Sequence, residues 1–136
     1  MDGHLLCWGD NSRRQTDPTM AVATVTAPRR VGTLADWTAV AAGGDTSCGI
    51  RGASGSLECW GANDDGQCGD GTQNSARRPV NVMGITDAAR VTGGSDFTCV
   101  TRAMGGVSCF GGNANGQLGR GSMSASIPEP GAPTGL

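Results

Sequence analysis

Cys59-Trp60-Gly61-Ala62-Asn63 is the stretch of sequence that decides the fold. The same pattern stands 52 residues earlier as Cys7-Trp8-Gly9-Asp10-Asn11. It stands again 50 residues later as Cys109-Phe110-Gly111-Gly112-Asn113. Internal similarity at a fixed period of this length is typical of repeat architectures.

Two more blocks keep the same register. Val40–Cys48 matches Val91–Cys99 at an offset of 51 residues, and the turn Asp65–Gly71 matches Asn115–Gly121. Three blocks in one register indicate tandem repeats within a single domain, residues 1–136. The predicted repeats are 5–56, 57–106 and a partial one over 107–136.

The local pattern within each repeat predicts short strands joined by tight turns. After the turn at 52–55, Leu57–Trp60 alternates apolar and polar residues, which is typical of a hairpin strand. The chain has 24 glycines among 136 residues, which works against long helices. Several short strands per fifty-residue unit are typical of β-propeller blades, so we predict an all-β fold. A third strand is expected at Val80–Val82.

Four of the six cysteines are placed symmetrically about predicted turns. Cys48 and Cys59 lie at equal distances from the turn at Ala53–Ser54, and Cys99 and Cys109 flank the next turn in the same way. Each pair is expected to lie directly opposite on adjacent antiparallel strands, within reach of a disulfide. We predict one disulfide within each hairpin. The alternative is that all four cysteines stay reduced and are buried as small apolar side chains.

Disulfides follow oxidising compartments, so these pairs predict an extracellular or periplasmic location. The sequence as given shows neither the charge and hydropathy pattern of a signal peptide nor an apolar run long enough to span a membrane. Cys7 has no in-register partner, and a bridge from Cys7 to Cys68 is an open alternative. Cys68 matches Leu118 in the next repeat and is expected in the core.

Catalytic, metal and nucleic-acid chemistry have little support in the sequence. The net charge is −2, and a nucleic-acid surface would need a basic excess. His4 is the single histidine and no Cys-x-x-Cys pair exists, so we expect no catalytic residue, no metal site and no cofactor. The acidic stretch 63–71 lacks the ligand ladder of a calcium loop and is predicted to be a turn-rich loop.

The aromatic and arginine residues suggest where the core and a partner surface lie. Trp8, Trp60 and Phe110 share one repeat position, and we predict that they pack between blades. Three arginine pairs are expected in solvated loops, with an acidic partner as the functional alternative. These pairs are Arg13-Arg14, Arg29-Arg30 and Arg77-Arg78.

The combined pattern resembles the RCC1 (regulator of chromosome condensation) repeat, and more closely the cysteine-bearing bacterial branch often labelled alpha-tubulin-suppressor-like. The resemblance covers nearly the whole chain. It implies RCC1-type propeller blades, and members usually have seven repeats in a seven-bladed ring. Here about two and a half repeats are present, which predicts an incomplete ring unless other chains complete it. Thr46 and Phe97 occupy a position that is commonly His in the family.

The resemblance implies a non-enzymatic protein-interaction scaffold, bacterial and extracytoplasmic, built of RCC1-like repeats. Contacts with a protein partner are expected in the variable stretches 12–28, 70–79 and 120–130. One alternative is a self-assembling structural protein that forms a ring or a filament. Another is a guanine-nucleotide-exchange-like regulator, which rests on fold analogy alone. We expect no nucleic-acid partner.

Overall fold

The computed structural model describes residues 2–135; Met1 and Leu136, the two ends of the predicted domain, lie outside the described residues. This part of the chain contains ten strands and no helix. In chain order the strands are β1 (Leu6–Asp10), β2 (Thr24–Arg30), β3 (Trp37–Ala42), β4 (Thr46–Arg51), β5 (Ser56–Gly61), β6 (Ala76–Asn81), β7 (Ala88–Gly93), β8 (Phe97–Arg102), β9 (Val107–Gly112) and β10 (Ser126–Gly131).

All of the sheets are antiparallel meanders. Strands β3 to β6 form one four-stranded sheet, here called blade 1, and β7 to β10 form another, blade 2. Strands β1 and β2 form a two-stranded sheet, the half-blade. No sheet closes on itself within residues 2–135. The prediction of all-β propeller blades in an incomplete ring is therefore confirmed.

The outermost strand of every sheet carries proline. Pro28 lies in β2, Pro79 in β6, and Pro128 and Pro130 in β10. Proline cannot donate a ladder hydrogen bond, so it is tolerated on an edge strand and protects that edge from further pairing.

Strand β6 begins four residues before the start that the sequence predicted at Val80. The charged and proline-containing start of this strand does not show the alternation by which half-buried strands are recognised.

The glycine of the repeated motif has a structural role. Gly9, Gly61 and Gly111 have φ angles of 109°, 107° and 110°, and the strand register shifts at or beside the first two. A Cβ atom at Gly61 would lie 2.4 Å from the carbonyl oxygen of Asp45. Glycine is therefore needed here both for the positive φ of the bulge and for the close approach of the backbone.

The core fills blade 1 and the seam between the two blades. Strands β3 and β4 lie against β7, so the inner strands of neighbouring blades meet. The large side chains buried there come from both blades and from the connection between them. They are Ile50, Leu57, Trp60, Val82, Ile85, Val100 and Phe110.

Candidate interaction surface

Both predicted cysteine pairs lie at disulfide distance across a hairpin. Cys48 stands directly opposite Cys59, with 4.0 Å between their Cα atoms, and Cys99 opposite Cys109, with 4.2 Å. Each bridge ties the second strand of a blade to the third. The loops that follow the third strand are thus attached to a covalently fixed hairpin.

Removing the bridge in blade 1 with the double substitution Cys48→Ser and Cys59→Ser is expected to lower the free energy of unfolding by about 3 kcal/mol, because an open loop of this length gains entropy in the unfolded chain. Urea unfolding of the oxidised proteins measures the difference. A reductant should destabilise this variant further through the remaining bridge. An oxidised variant as stable as the wild type would contradict the prediction.

Three long loops are organised alike: one follows β1 of the half-blade, and the other two follow the third strand of each blade, β5 and β9. They span residues 11–23, 62–75 and 113–125, and we call them together the loop face. The asparagine of the repeated motif stands at or near the start of each one. These asparagines are all fully buried: Asn11, Asn63 and Asn113.

Each buried asparagine holds its loop through both ends of its amide. In the second loop, Asn63 Oδ1 accepts a hydrogen bond from the Cys68 amide at 2.8 Å. Its Nδ2 donates to the carbonyl oxygens of Thr72 and Asn74 at 3.1 and 3.0 Å. Asn11 and Asn113 make equivalent bonds to their own loops. Because one side chain satisfies several backbone groups, each loop is fixed from within.

Neighbouring loops are also joined to one another. Arg13 of the first loop forms an ion pair with Asp64 of the second. Gln73 Nε2 of the second loop donates to Ser126 Oγ, just after the third, at 2.6 Å. The loop face is therefore one continuous surface. Its exposed side chains include nine that are uncharged and polar, two that are charged and six that are apolar. They are Ser12, Thr19, Thr72, Gln73, Asn74, Ser75, Asn115, Ser122 and Ser124; Arg13 and Asp64; and Ala21, Val22, Ala23, Ala114, Met123 and Ala125.

Two of the three aromatic residues at the shared repeat position pack between neighbouring sheets: Trp60 between the half-blade and blade 1, and Phe110 between blades 1 and 2. Trp60 and Phe110 are fully buried. Trp60 Nε1 donates to the Gln15 carbonyl oxygen at 2.9 Å, in the preceding loop. Phe110 lies against Gly69 of its own preceding loop, where an added Cβ would be 2.6 Å from the ring. In each of the two blades, the buried aromatic side chain thus packs the sheet against the long loop that precedes it in the chain.

The prediction that Trp8 belongs to this core is wrong. Its side chain is 62% exposed. Trp60 and Phe110 are covered by the loop of the repeat before them, and the described residues contain no such loop before Trp8. Among the described residues, no strands stand beside β1 as β4 and β3 stand beside β5.

The arginine pairs do not share one set of loops. Arg13 and Arg14 lie in the first loop, and Arg14 has a positive φ of 67°. The other four arginines were expected in loops, but they lie in strands, because the outer edge strands can be polar and solvent-exposed. Arg29 and Arg30 are in β2, while Arg77 and Arg78 are in β6 of a different sheet.

A repeated ion pair was missed at the sequence level. The Arg51 guanidinium donates two hydrogen bonds to the Asp36 carboxylate at 2.9 and 3.0 Å and a third to Glu58 at 2.8 Å. Hydrogen bonding from Arg51 holds the pKa of Asp36 below its usual value. Arg102 pairs with Asp87 at the same places in blade 2. The equal offset of 51 residues between the two pairs was the signal available.

The two remaining cysteines are free thiols of low predicted reactivity. Burial raises the pKa of Cys7 to about 11, and burial with the nearby Asp70 charge raises that of Cys68 to about 12. Since the thiolate is the reactive form, alkylation at pH 8 should be slow and should speed up about tenfold per pH unit. Mass spectrometry measures the alkylation rate of each cysteine, with free glutathione as the reference thiol. Cys68 should react only on unfolding; rapid labelling of native Cys68 would contradict the prediction.

Side chains suited to other chemistry were also sought in residues 2–135. No group of three or more His, Cys, Asp or Glu side chains in this part of the chain is arranged to hold a metal ion. The described residues also include no helix of the length and apolarity that a membrane crossing requires.

Family comparisons match the centre of the chain. Two models described as regulator of chromosome condensation (RCC1) repeat match residues 54–101 and 37–67. The first of these matches runs through β5, β6, β7 and β8, so it takes two strands from each blade. No curated protein matches the chain in sequence.

Solved structures match nearly the whole chain. Prp20p from Saccharomyces cerevisiae, described with its binding to Gsp1p and histones, is 19% identical, with a TM-score of 0.81 over 95% of this chain and 34% of Prp20p. Human WBSCR16 is 23% identical, with a TM-score of 0.76 over 96% and 37%. Yeast RCC1 (Prp20) bound to Kap60 is 18% identical, with a TM-score of 0.74 over 93% and 33%. The chain therefore spans about a third of the length of these proteins and shares their fold.

Proposed function

Because this chain belongs to the RCC1 repeat family, we propose that it is a non-enzymatic protein-interaction scaffold whose recognition surface is the loop face. Propellers carry recognition in loops that a rigid scaffold positions. The observation that carries the proposal is the set of three loops, each fixed by a buried asparagine and joined to the next. Protein binding described for Prp20p, a protein of the same fold, supports the proposal.

The chemistry of the loop face favours a protein as the partner. Its exposed side chains are mostly hydroxyl and amide groups, which recognise a surface by hydrogen bonds. Its exposed charged side chains, Arg13 and Asp64, form an ion pair, and the three loops together carry three arginines and four aspartates. A strongly charged polymer such as a nucleic acid would require an excess of basic groups.

Paired surface variants test this proposal. Asn74→Arg with Met123→Arg changes the loop face, whereas Ala53→Arg with Met104→Arg places the same charges on the hairpin turns; all four side chains are exposed. Cross-linking capture from cells of the source organism should recover a protein with the wild type and the turn variant but not with the loop variant. Recovery that is equal for both variants would contradict the proposal.

We also propose a bacterial, extracytoplasmic location. The two cysteine pairs at disulfide distance support it, because such bridges persist in oxidising compartments. Trapping thiols in intact cells before lysis and fractionation should find all four cysteines oxidised outside the cytoplasm. Reduced pairs in a cytoplasmic fraction would contradict this location.

Self-assembly is a second candidate function. Exposed apolar residues favour it, namely Leu6 and Trp8 of the half-blade and Val40 of β3 in blade 1, since surfaces of this kind commonly mark association sites. Light scattering over a range of concentrations should then show a discrete oligomer or a filament; a monomer at all concentrations would contradict it. The nucleotide-exchange-like alternative stays a prediction from the resemblance.

A further inference from the structure

A groove lies on the outer rim of blade 1, between the second long loop and strand β6. Its volume is about 490 Å³, within the range of pockets that bind small ligands. The loop and the strand both contribute to its lining: Asp70, Thr72, Asn74, Arg77, Arg78 and Val80. Blade 1 is packed against the half-blade on one side and against blade 2 on the other. The groove therefore lies within one blade, and both neighbours of that blade are among the described residues.

Strand β6 carries a bulge at this groove. Between the partners of Gly61 and Cys59, β6 has three residues where β5 has one, so residues 77–79 form the bulge. The extra residues of a bulge interrupt the regular alternation of a strand and re-aim its side chains. The bulge explains how Arg77 and Arg78 can both line the groove, although adjacent residues of a regular strand face opposite sides.

The same bulge recurs in β2 and β10 without the arginines. At its three positions β2 has Thr26, Ala27 and a proline, and β10 has Pro128, Glu129 and a proline. The proline is shared by all three strands, whereas the first two positions differ. The fold therefore does not require arginine at either of them, and a binding function accounts for the pair in β6.

Arg77 and Arg78 are exposed, and within residues 2–135 neither forms an ion pair. The ion pairs of this part of the chain involve four other arginines: Arg13, Arg30, Arg51 and Arg102. In blade 2, Arg120 donates a hydrogen bond to the Glu129 carbonyl oxygen at 2.7 Å, so a side chain of the protein itself lies against the bulge there. The two guanidinium groups of β6 are available to a ligand.

The acidic residue of the groove is held by its own loop. Asp70 stands where Arg120 stands in the next repeat. Its Oδ1 accepts hydrogen bonds from the Thr72 amide at 3.0 Å, from Thr72 Oγ1 at 2.9 Å and from Asn63 Nδ2 at 3.2 Å. One engaged carboxylate against two arginines leaves the groove with a net positive charge.

We propose that this groove, which we call the rim groove, binds a short acidic segment of a protein partner, and that Arg77 and Arg78 hold two of its carboxylates. The inference rests on the proposed function, because Thr72 and Asn74 belong to both the rim groove and the loop face. Guanidinium groups suit this ligand, since each can bind a carboxylate through two parallel hydrogen bonds.

The neighbouring bulges limit the length and class of the ligand. Thr26 and Ala27 of β2 carry no charge, and β10 has the acidic Glu129. A nucleic acid is charged at every phosphate and would need basic groups at all three bulges. A peptide with two or three adjacent acidic residues needs only the two arginines and the hydrogen-bonding groups of the loop.

A fluorescein-labelled hexaglutamate peptide is the probe, and fluorescence anisotropy with the purified protein at low salt measures its Kd. Arg77→Thr with Arg78→Ala, which introduces the residues of β2, should weaken binding at least tenfold. The matched control is Arg29→Val with Arg30→Asn, the residues that β6 has at those positions. It removes the same charge from the half-blade and should change Kd less than twofold. Equal weakening by the two variants would overturn the proposal.

A second measurement uses the wild-type protein alone. A photoactivatable hexaglutamate peptide should cross-link within residues 70–80, as mapped by mass spectrometry. Cross-links that concentrate on β2 or β10 would overturn the proposal.

Two further probes define the class of ligand. Hexaglutamine has the same length without charge, and an oligothymidylate of equal charge has phosphates in place of carboxylates. Both should bind at least tenfold more weakly than hexaglutamate. Equal binding of hexaglutamine would overturn the role of the arginines, and equal binding of the oligothymidylate would overturn a peptide as the ligand.

Failure of this inference can be told from failure of the proposed function, because the peptide is measured on purified protein. If hexaglutamate does not bind while the loop-face variants still alter partner capture, the rim groove is overturned and the proposed function stands. If hexaglutamate binds as expected while capture is equal for both surface variants, the proposed function is contradicted and the peptide-binding groove stands.

Discussion

The substitution Trp60→Ala is expected to lower the free energy of unfolding by about 3–5 kcal/mol, the range for truncating a large aromatic residue in a core. The Trp60 side chain is fully buried in the seam between the half-blade and blade 1. The substitution removes its packing against Trp37, whose ring centre is 5.8 Å away. It also removes the hydrogen bond to the Gln15 carbonyl.

Trp8 provides the matched control for this prediction. It occupies the same repeat position but is largely exposed, so Trp8→Ala should change stability by less than about 0.5 kcal/mol. Trp60→Phe, which keeps a ring but loses the indole N–H, should fall between the two. Urea unfolding followed by circular dichroism measures all three. Equal losses for Trp60→Ala and Trp8→Ala would show that the seam does not depend on the buried indole.

The substitution Asn63→Ala should destabilise the protein by about 3–5 kcal/mol. It leaves the Cys68 amide and the carbonyls of Thr72 and Asn74 without their partner, and each buried unsatisfied group costs about 1–3 kcal/mol. Water can reach part of the emptied site, so the total loss of stability stays below the sum of the three separate costs. The second loop should also lose protection in hydrogen exchange.

Two further variants separate the amide chemistry from side-chain size. Asn63→Asp keeps the size and the acceptor oxygen but loses the donor group. It should therefore lower the free energy of unfolding nearly as much as Asn63→Ala. Asn81→Ala, on an exposed position of β6, should have little effect. Urea unfolding and hydrogen exchange measure both. If Asn63→Ala behaved like Asn81→Ala, the loops would have to be held by other contacts.

Most of what could be predicted from the sequence came from the shared register of the repeats. A shared register aligned the hairpins, and symmetry about each turn placed Cys48 opposite Cys59 and Cys99 opposite Cys109. These features are local, because a short turn fixes which residues of a hairpin face each other. The fold class followed for the same reason.

The sequence did not reveal features that depend on neighbouring units. Trp8 repeats the motif of Trp60, yet its burial depends on a loop from another repeat. The role of the motif asparagine was also missed, because its partners are backbone groups up to 11 residues away, which a side-chain pattern does not show. The arginines of β2 and β6 looked like loop residues because exposed edge strands need no alternation of apolar and polar positions.

The repeat unit is displaced by two strands from the four-stranded blade, and this offset affects how such a chain can change in evolution. The matched repeat 54–101 gives two strands to each blade, so no single repeat encodes a whole blade. Deleting that unit would join β3 and β4 to β9 and β10, and the new sheet would again have four strands. Gene duplication or loss can thus alter the repeat number without leaving half a sheet inside the array. Melting one repeat breaks two sheets at once, which couples neighbours into one cooperative unfolding transition.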